Sequence, residues 1–304
     1  MSPALPQHLA LVGATASGKS GVAMELARRD PRIELVSVDS MQVYRGMDIG
    51  TAKATPAERA EVRHHLLDIA DPGDEFTVIR FQQAFRTALA DIEDRGRRAL
   101  LVGGTGLYLR AVVDDLTIPG RFPEVRAEIE AEPDTAALHA RLHDLDPAAA
   151  ARMEPGNRRR VVRALEVTLG SGAPFSSFGP GLEAYPPTPF RLVGVELPTA
   201  VVAARIARRY ADQLAVGFVD EVRRLAAGPR GLSRTARQAL GYRELLTHVE
   251  DGVTLDEAIE VATTRTRKFA RRQRAWFRRD PRIEWHRTDD PASLVDPLAV
   301  LADS

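Results

Sequence analysis

LALVGATASGKS, residues 9–20, joins an apolar run to a glycine-rich loop. The run Leu9–Val12, stopped by Gly13, predicts a short buried strand of a parallel sheet. From Gly18 to Arg29 the pairs Val22/Leu26 and Ala23/Ala27 recur at helical spacing and predict a helix. Between strand and helix, Gly13–Ser20 matches G-x-x-x-x-G-K-[ST], in the setting that gives this pattern its meaning. The glycines let backbone N–H groups turn inward around phosphate oxygens, and the helix N-terminus adds partial positive charge. Gly13, Ala14, Thr15, Ala16, Ser17, Gly18, Lys19 and Ser20 are therefore the candidate phosphate site. Lys19 reaches the outer phosphates, and the Ser20 hydroxyl is a candidate ligand for Mg²⁺. The loop alone leaves open which phosphorylated compound it holds.

The same alternation continues downstream. Ile33–Val38 predicts a second buried strand, His65–Ile69 a third and Ala99–Val102 a fourth. Thr77 caps a predicted helix that presents Ile79, Phe81, Ala84, Phe85, Leu89 and Ile92 inward and stops at Gly96. Strands alternating with helices imply an α/β fold with a parallel sheet. Asp39 follows the second strand at its carboxyl end, where open sheets form their ligand crevice. It suits either a Mg²⁺ ligand or a base toward an acceptor substrate. Gly103-Gly104-Thr105-Gly106 closes the fourth strand, a place where ATPases often carry an acid. Thr105 offers a hydroxyl to a substrate, or simply caps the next helix.

From about Pro119 strand-like runs disappear until Phe190. Residues 119–189 read as a helical insertion into a core of residues 1–118 and 190–304. Within it Asn157 caps a helix running to Leu169, with an apolar stripe of Val161, Val162, Leu165 and Leu169. After the insertion come a strand at Phe190–Leu197, helices at about 199–227 and 238–250, and a long helix from the capping box Thr254/Glu257 to about Arg279. Ile283–His286 reads as a last strand.

Composition excludes several classes. The 304 residues contain no cysteine, which removes disulfide scaffolds, thiolate metal sites and cysteine nucleophiles. The N-terminal MSPALPQHLALVG shows no secretory leader pattern, and no apolar run approaches a bilayer span, so the cytoplasm is the expected location. Lys+Arg and Asp+Glu balance at 42 each, yet local runs are strongly basic. Arg158, Arg159, Arg160 and Arg163 line one helix. Residues 265–279 hold eight basic residues and no acid, with Trp276 and Phe277 interleaved. One such helix is equally a solvated face. Two beside a phosphate-handling core favour a polyanionic partner, and the aromatics suit looped nucleic acid.

These blocks together resemble one family. GATASGKS (13–20), SVDSMQVYRGMDIGTAK (37–53), HHLLDI (64–69), LVGGTGLYLRA (101–111), RRVVRALEV (159–167), GFVDEV (217–222), ALGYRE (239–244) and RRQRAWFR (271–278) are similar to bacterial tRNA dimethylallyltransferases, the isopentenyl-tRNA transferase family. The resemblance implies a P-loop, nucleotide-kinase-like core with a helical tRNA-binding insertion. It implies transfer of a dimethylallyl group from dimethylallyl diphosphate to the exocyclic amine of the adenosine 3′ to the anticodon, with Mg²⁺ as cofactor and a monomeric enzyme. By that analogy Gly13–Ser20 holds the diphosphate, Asp39 is the general base and Thr105 shares the catalytic site. Asp39, Ser40, Met41, Gln42, Thr105, Arg126, Arg159, Arg160, Arg163, Arg271, Arg272, Gln273, Trp276 and Arg278 match positions in contact with tRNA. Ala14 and Ala275 stand where the family often has Pro and Thr. Two other readings of the loop remain at this point, a small-molecule kinase using ATP and a nucleic-acid-binding ATPase.

Overall fold

A computed structural model describes residues 8–303; residues 1–7, part of the stretch read as free of a leader, lie outside it. Contacts divide the chain into two compact units, residues 1–114 with 187–304, and residues 115–186. The described strands are β1 (His8–Gly13), β2 (Ile33–Val38), β3 (His64–His65), β4 (Arg98–Gly103), β5 (Phe190–Glu196) and β6 (Glu284–Arg287). All lie in the first unit and form one parallel sheet in the order β3-β2-β4-β1-β5-β6. Its helices are α1 (Lys19–Arg29), α2 (Pro56–Glu61), α3 (Val78–Asp94) and α4 (Gly106–Val113) before the second unit. The second unit carries α5 (Pro123–Glu130), α6 (Thr135–Leu145), α7 (Pro147–Ala150) and α8 (Arg158–Ser171). The chain then adds α9 (Thr199–Ala215), α10 (Phe218–Ala226), α11 (Tyr242–Asp251), α12 (Leu255–Phe277) and α13 (Val295–Asp303).

Strand periodicity sorts the core into two layers. Leu9, Leu11, Ile33, Leu35, Leu100, Val193 and Val195 share one cluster with Val22, Leu26 and Leu298. Their neighbours in sequence, Ala10, Val12, Val36, Val38, Leu101 and Leu192, join the opposite cluster with Phe81, Phe85, Ile206 and Ala262. Both faces are covered, which is why the strands read as continuous apolar runs. Phe81 is fully buried, and truncating such a side chain to Ala costs about 3–5 kcal/mol. Register places the functional edge: Val12 and Val38 both pair with Gly103. The loops after β1, β2 and β4 therefore leave the sheet side by side at its carboxyl edge, where open α/β sheets bind ligands.

The second unit has its own core of Ile129, Leu138, Leu142, Val161, Val162 and Leu165. Asn157 caps α8 by accepting the Arg160 N–H, and Gly172 ends it at φ 73°. The buried Glu166 carboxylate accepts the Phe122 N–H at 2.9 Å and pairs with Arg163 at 2.8 Å and Arg126 at 3.3 Å. Leu169, expected on the apolar stripe, is instead 36 % exposed.

Three other expectations are corrected. The third strand shrinks to His64–His65, because Leu66 and Asp68 adopt left-handed φ of 63° and 58° that end the ladder. Asp68 is held there by Lys53 and Arg59. The helix expected over 199–227 is two helices, broken at Gly217 with φ 95°. The next begins only at Tyr242, after a single 3₁₀ turn at Ala236–Gln238. The C-terminal α13 was not foreseen; it packs beside α1, with Leu298 in the same apolar cluster as Leu26.

Candidate active site

The phosphate loop takes the conformation its glycines allow. Gly18 sits at φ 85°, and a side chain there would also strike Pro291. Ser17 N–H closes onto the Ala14 carbonyl at 3.2 Å. Lys19 Nζ donates to the same carbonyl at 3.3 Å. The backbone N–H groups of Gly18, Lys19 and Ser20 make no hydrogen bond among the described residues, as expected of an anion cradle at a helix start. Burial pushes the Lys19 ammonium down to about 8 from its ordinary 10.5, opposed by the charge of Asp39 and aided by that of Arg209.

Two arginines that the sequence reading did not select complete the cradle. Arg205 Nε donates to the Ala16 carbonyl at 2.8 Å. Arg209 Nη1 donates to the Thr15 hydroxyl at 3.1 Å, and its Nη2 to the Gly50 carbonyl at 3.0 Å. Burial pulls the Arg209 guanidinium below its usual range. No motif marks these residues. Their i, i+4 spacing, which puts both on one face of α9, is the signal that could have found them.

Across the crevice, Asp39 Oδ1 accepts the Met41 N–H at 2.8 Å. Its second oxygen makes no hydrogen bond among the described residues. Thr105 caps α4 in position but not in bonding: its hydroxyl accepts the Ser40 N–H at 3.3 Å instead. That bond ties the loop after β2 to the loop after β4. Gln42 is engaged internally, holding Ser37 at 2.7 Å and donating to the Thr51 and Ala52 carbonyls.

Gln273 of α12 is buried and bridges the two sides of the site. Its Oε1 accepts the Thr15 N–H at 2.8 Å, and its Nε2 donates to the Gly104 carbonyl at 2.8 Å. A Cβ on Gly104 would overlap that amide, and one on Gly106 would overlap the Trp276 indole. Glycine at both lets side chains of α12 lie against the backbone, and a larger residue would have to displace them. Arg278 and Arg274 converge with Arg287 on the buried Glu196. Arg271 is exposed and unpaired among the described residues, and Arg272 lies 5.7 Å from the Phe269 ring centre.

The remaining basic positions belong to the second unit and divide in two. Arg163 and Arg126 are tied to Glu166, Arg163 also to the Pro119 and Gly120 carbonyls. Arg158 is occupied by the Glu130, Glu132 and Pro133 carbonyls. Arg159 and Arg160 are exposed, and their guanidinium groups make no hydrogen bond among the described residues.

The family model for IPP transferase matches residues 42–280. A tRNA dimethylallyltransferase of Kineococcus radiotolerans is 50 % identical over 95 % of this chain and 93 % of its own. One from a Nocardioides species is 47 % identical over 97 % of this chain and 95 % of its own. The solved tRNA isopentenylpyrophosphate transferase of Bacillus halodurans superposes with a TM-score of 0.71 at 36 % identity, covering 98 % of this chain and 96 % of that one. A eukaryotic dimethylallyltransferase acting on tRNA gives 0.79 at 25 % identity, over 94 % of this chain and 75 % of that one. Matched over most of its length in sequence and in fold, the chain belongs to the IPP transferase family, that of the tRNA dimethylallyltransferases.

Proposed function

We propose that this enzyme transfers a dimethylallyl group from dimethylallyl diphosphate to the exocyclic amine of the adenosine 3′ to the anticodon of tRNA. The observation that carries the reading is Asp39. One of its oxygens is pinned by a backbone N–H, the other makes no hydrogen bond among the described residues, and its charge acts on the Lys19 ammonium across the crevice. An adenine amine is a poor nucleophile, because its lone pair is delocalised into the ring. As its nitrogen bonds to the allylic carbon, the carbon–oxygen bond to diphosphate breaks and the amine proton passes to Asp39. A base so placed contributes roughly 10²–10⁴-fold. The departing diphosphate meets the free loop amides, Lys19, Arg205 and Arg209, donors already oriented before the charge develops. Thr105 and Trp276 stand at the same edge, suited to the amine and to a stacked base.

The residues fit Mg²⁺ as a companion of the diphosphate. Among the described residues no three His, Cys, Asp or Glu side chains gather to hold an ion. The exposed Ser20 hydroxyl, which makes no hydrogen bond among the described residues, would hold it together with phosphate oxygens and water, a hard-oxygen set that Mg²⁺ prefers. Bound there, it would supply charge neutralisation to the leaving group. No described helix is long and apolar enough to cross a membrane, and a tRNA substrate supports a cytoplasmic site of action. Arg159, Arg160 and Arg271 supply unpaired charge for tRNA phosphates.

Incubation with unmodified tRNA, Mg²⁺ and either dimethylallyl diphosphate or ATP, followed by nucleoside mass analysis, tests the reading. Adenosine carrying a prenyl group should appear with the diphosphate only. Consumption of ATP with unaltered tRNA would replace the reading by a kinase or ATPase.

A further inference from the structure

Two motifs of the family resemblance, GFVDEV and ALGYRE, have no part in the chemistry above, yet they meet on one loop. Glu221 of α10 is 3 % exposed. Its carboxylate accepts the N–H groups of Asp48 at 3.0 Å, Ile49 at 2.9 Å and Gly50 at 3.2 Å, and the Tyr242 hydroxyl at 2.5 Å. Burial, reinforced by the Glu221 charge, holds the Tyr242 phenol far above its usual range, so the hydroxyl remains a donor. The Phe218 and Tyr242 rings meet edge to face at 5.0 Å and close over Gly50, where a Cβ would overlap both. A buried carboxylate is costly unless donors fill its lone pairs, and here four do so.

The consequence lies on the other side of the loop. With three successive amides turned toward Glu221, the Ile49 and Gly50 carbonyls face α9. Gln213 Nε2 donates to both, at 2.5 and 3.2 Å. Arg209 donates to the Gly50 carbonyl through one terminal nitrogen and to the Thr15 hydroxyl through the other. That guanidinium is thus anchored at two points, one in the phosphate loop and one in the segment that Glu221 holds.

We infer that Glu221 is a positioning residue for the prenyl donor: it sets the Gly50 carbonyl, which orients Arg209 toward the diphosphate. The inference rests on the assignment of Arg209 to the diphosphate. Glu221→Gln keeps shape but turns an NH₂ group toward backbone N–H groups, so donor meets donor and the loop loses an acceptor.

The measurements are KM for dimethylallyl diphosphate, inhibition by inorganic pyrophosphate, kcat and tRNA affinity, in Glu221→Gln, Arg209→Ala and the double variant. Glu221→Gln should raise the donor KM and the pyrophosphate inhibition constant together, by about tenfold, the effect of misplacing one charge-assisted hydrogen bond. tRNA affinity should stay within about twofold, since its contacts lie elsewhere, whereas kcat should fall as well, because Arg209 also meets the departing diphosphate. In the double variant the donor KM should equal that of Arg209→Ala alone, because Glu221 acts only through Arg209. If Glu221→Gln does not fold, Glu221→Asp, which withdraws the oxygens by one methylene, carries the same expectation. An unchanged donor KM in Arg209→Ala would remove the diphosphate assignment itself. A normal Arg209→Ala effect with an unchanged donor KM in Glu221→Gln, additive effects, or an equal loss of tRNA affinity would overturn the role of Glu221 while leaving that assignment intact.

Discussion

Arg209 and Arg160 stand in similar sequence, ARIARRYAD at 204–212 and GNRRRVVRA at 156–164, each among other arginines. Arg209 is half-buried and fastened at both terminal nitrogens, to Thr15 and to Gly50. Arg160 is exposed, and its guanidinium is unattached among the described residues. The first can serve a small anion at a defined point, because its orientation exists before the ligand arrives. The second can serve a long polyanion, whose many phosphates need charge more than aim. A count of arginines cannot separate these uses. The neighbours of each guanidinium do.

The strongest test of the oriented side is Asp39→Asn. Turnover should fall by roughly 10²–10⁴-fold, with tRNA and donor affinities little changed, in single-turnover assays. If added Mg²⁺ restored the rate, Asp39 would act as a metal ligand instead of a base. Lys19→Ala comes next. Loss of a charged hydrogen-bond donor should cost about 1.5–3 kcal/mol of donor binding, read as KM, and leave tRNA affinity intact.

The pH response of Lys19 sharpens the same contrast, with opposite signs for binding and stability. Donor kcat/KM should decline as pH rises through about 8, where the free enzyme loses the ammonium. Stability from this group should rise over the interval from about 8 to 10.5, because there the unfolded chain binds the proton and the folded one does not. Chemical denaturation and kinetics across that range check both.

The α8 region should behave differently. Removing Arg159 or Arg160 should flatten the log–log salt dependence of tRNA binding by about 0.7–0.9 each. Arg163→Ala should leave that slope nearly unchanged and lower the unfolding temperature, because Glu166 loses a partner inside the second unit. Equal salt slopes for Arg160→Ala and Arg163→Ala would erase the distinction drawn here.

What the sequence revealed followed the range of the interaction. The loop, Lys19, Asp39 and the parallel sheet were legible, because each rests on a few consecutive residues and on strand periodicity. Arg209, the bridge made by Gln273 and the clamp of Glu221 were not, because each joins residues more than 150 positions apart. Gln273 was singled out by resemblance as a tRNA contact, while its hydrogen bonds run to Thr15 and Gly104. The third strand failed for a local reason, since no propensity rule expects Leu66 in a left-handed conformation.

Thr15, in the loop after β1, waits for Gln273, 258 residues later, to occupy its amide. At about 5–20 residues per second, that interval lasts roughly 13–52 s on the ribosome. Through it the nascent phosphate loop lacks its α12 buttress, and β1 has no β5 beside it until the second unit has been made. Assembly of the donor site is thus a late event in the birth of the molecule. A truncated product ending before α12 would carry the whole GATASGKS signature yet leave the Thr15 amide without its partner.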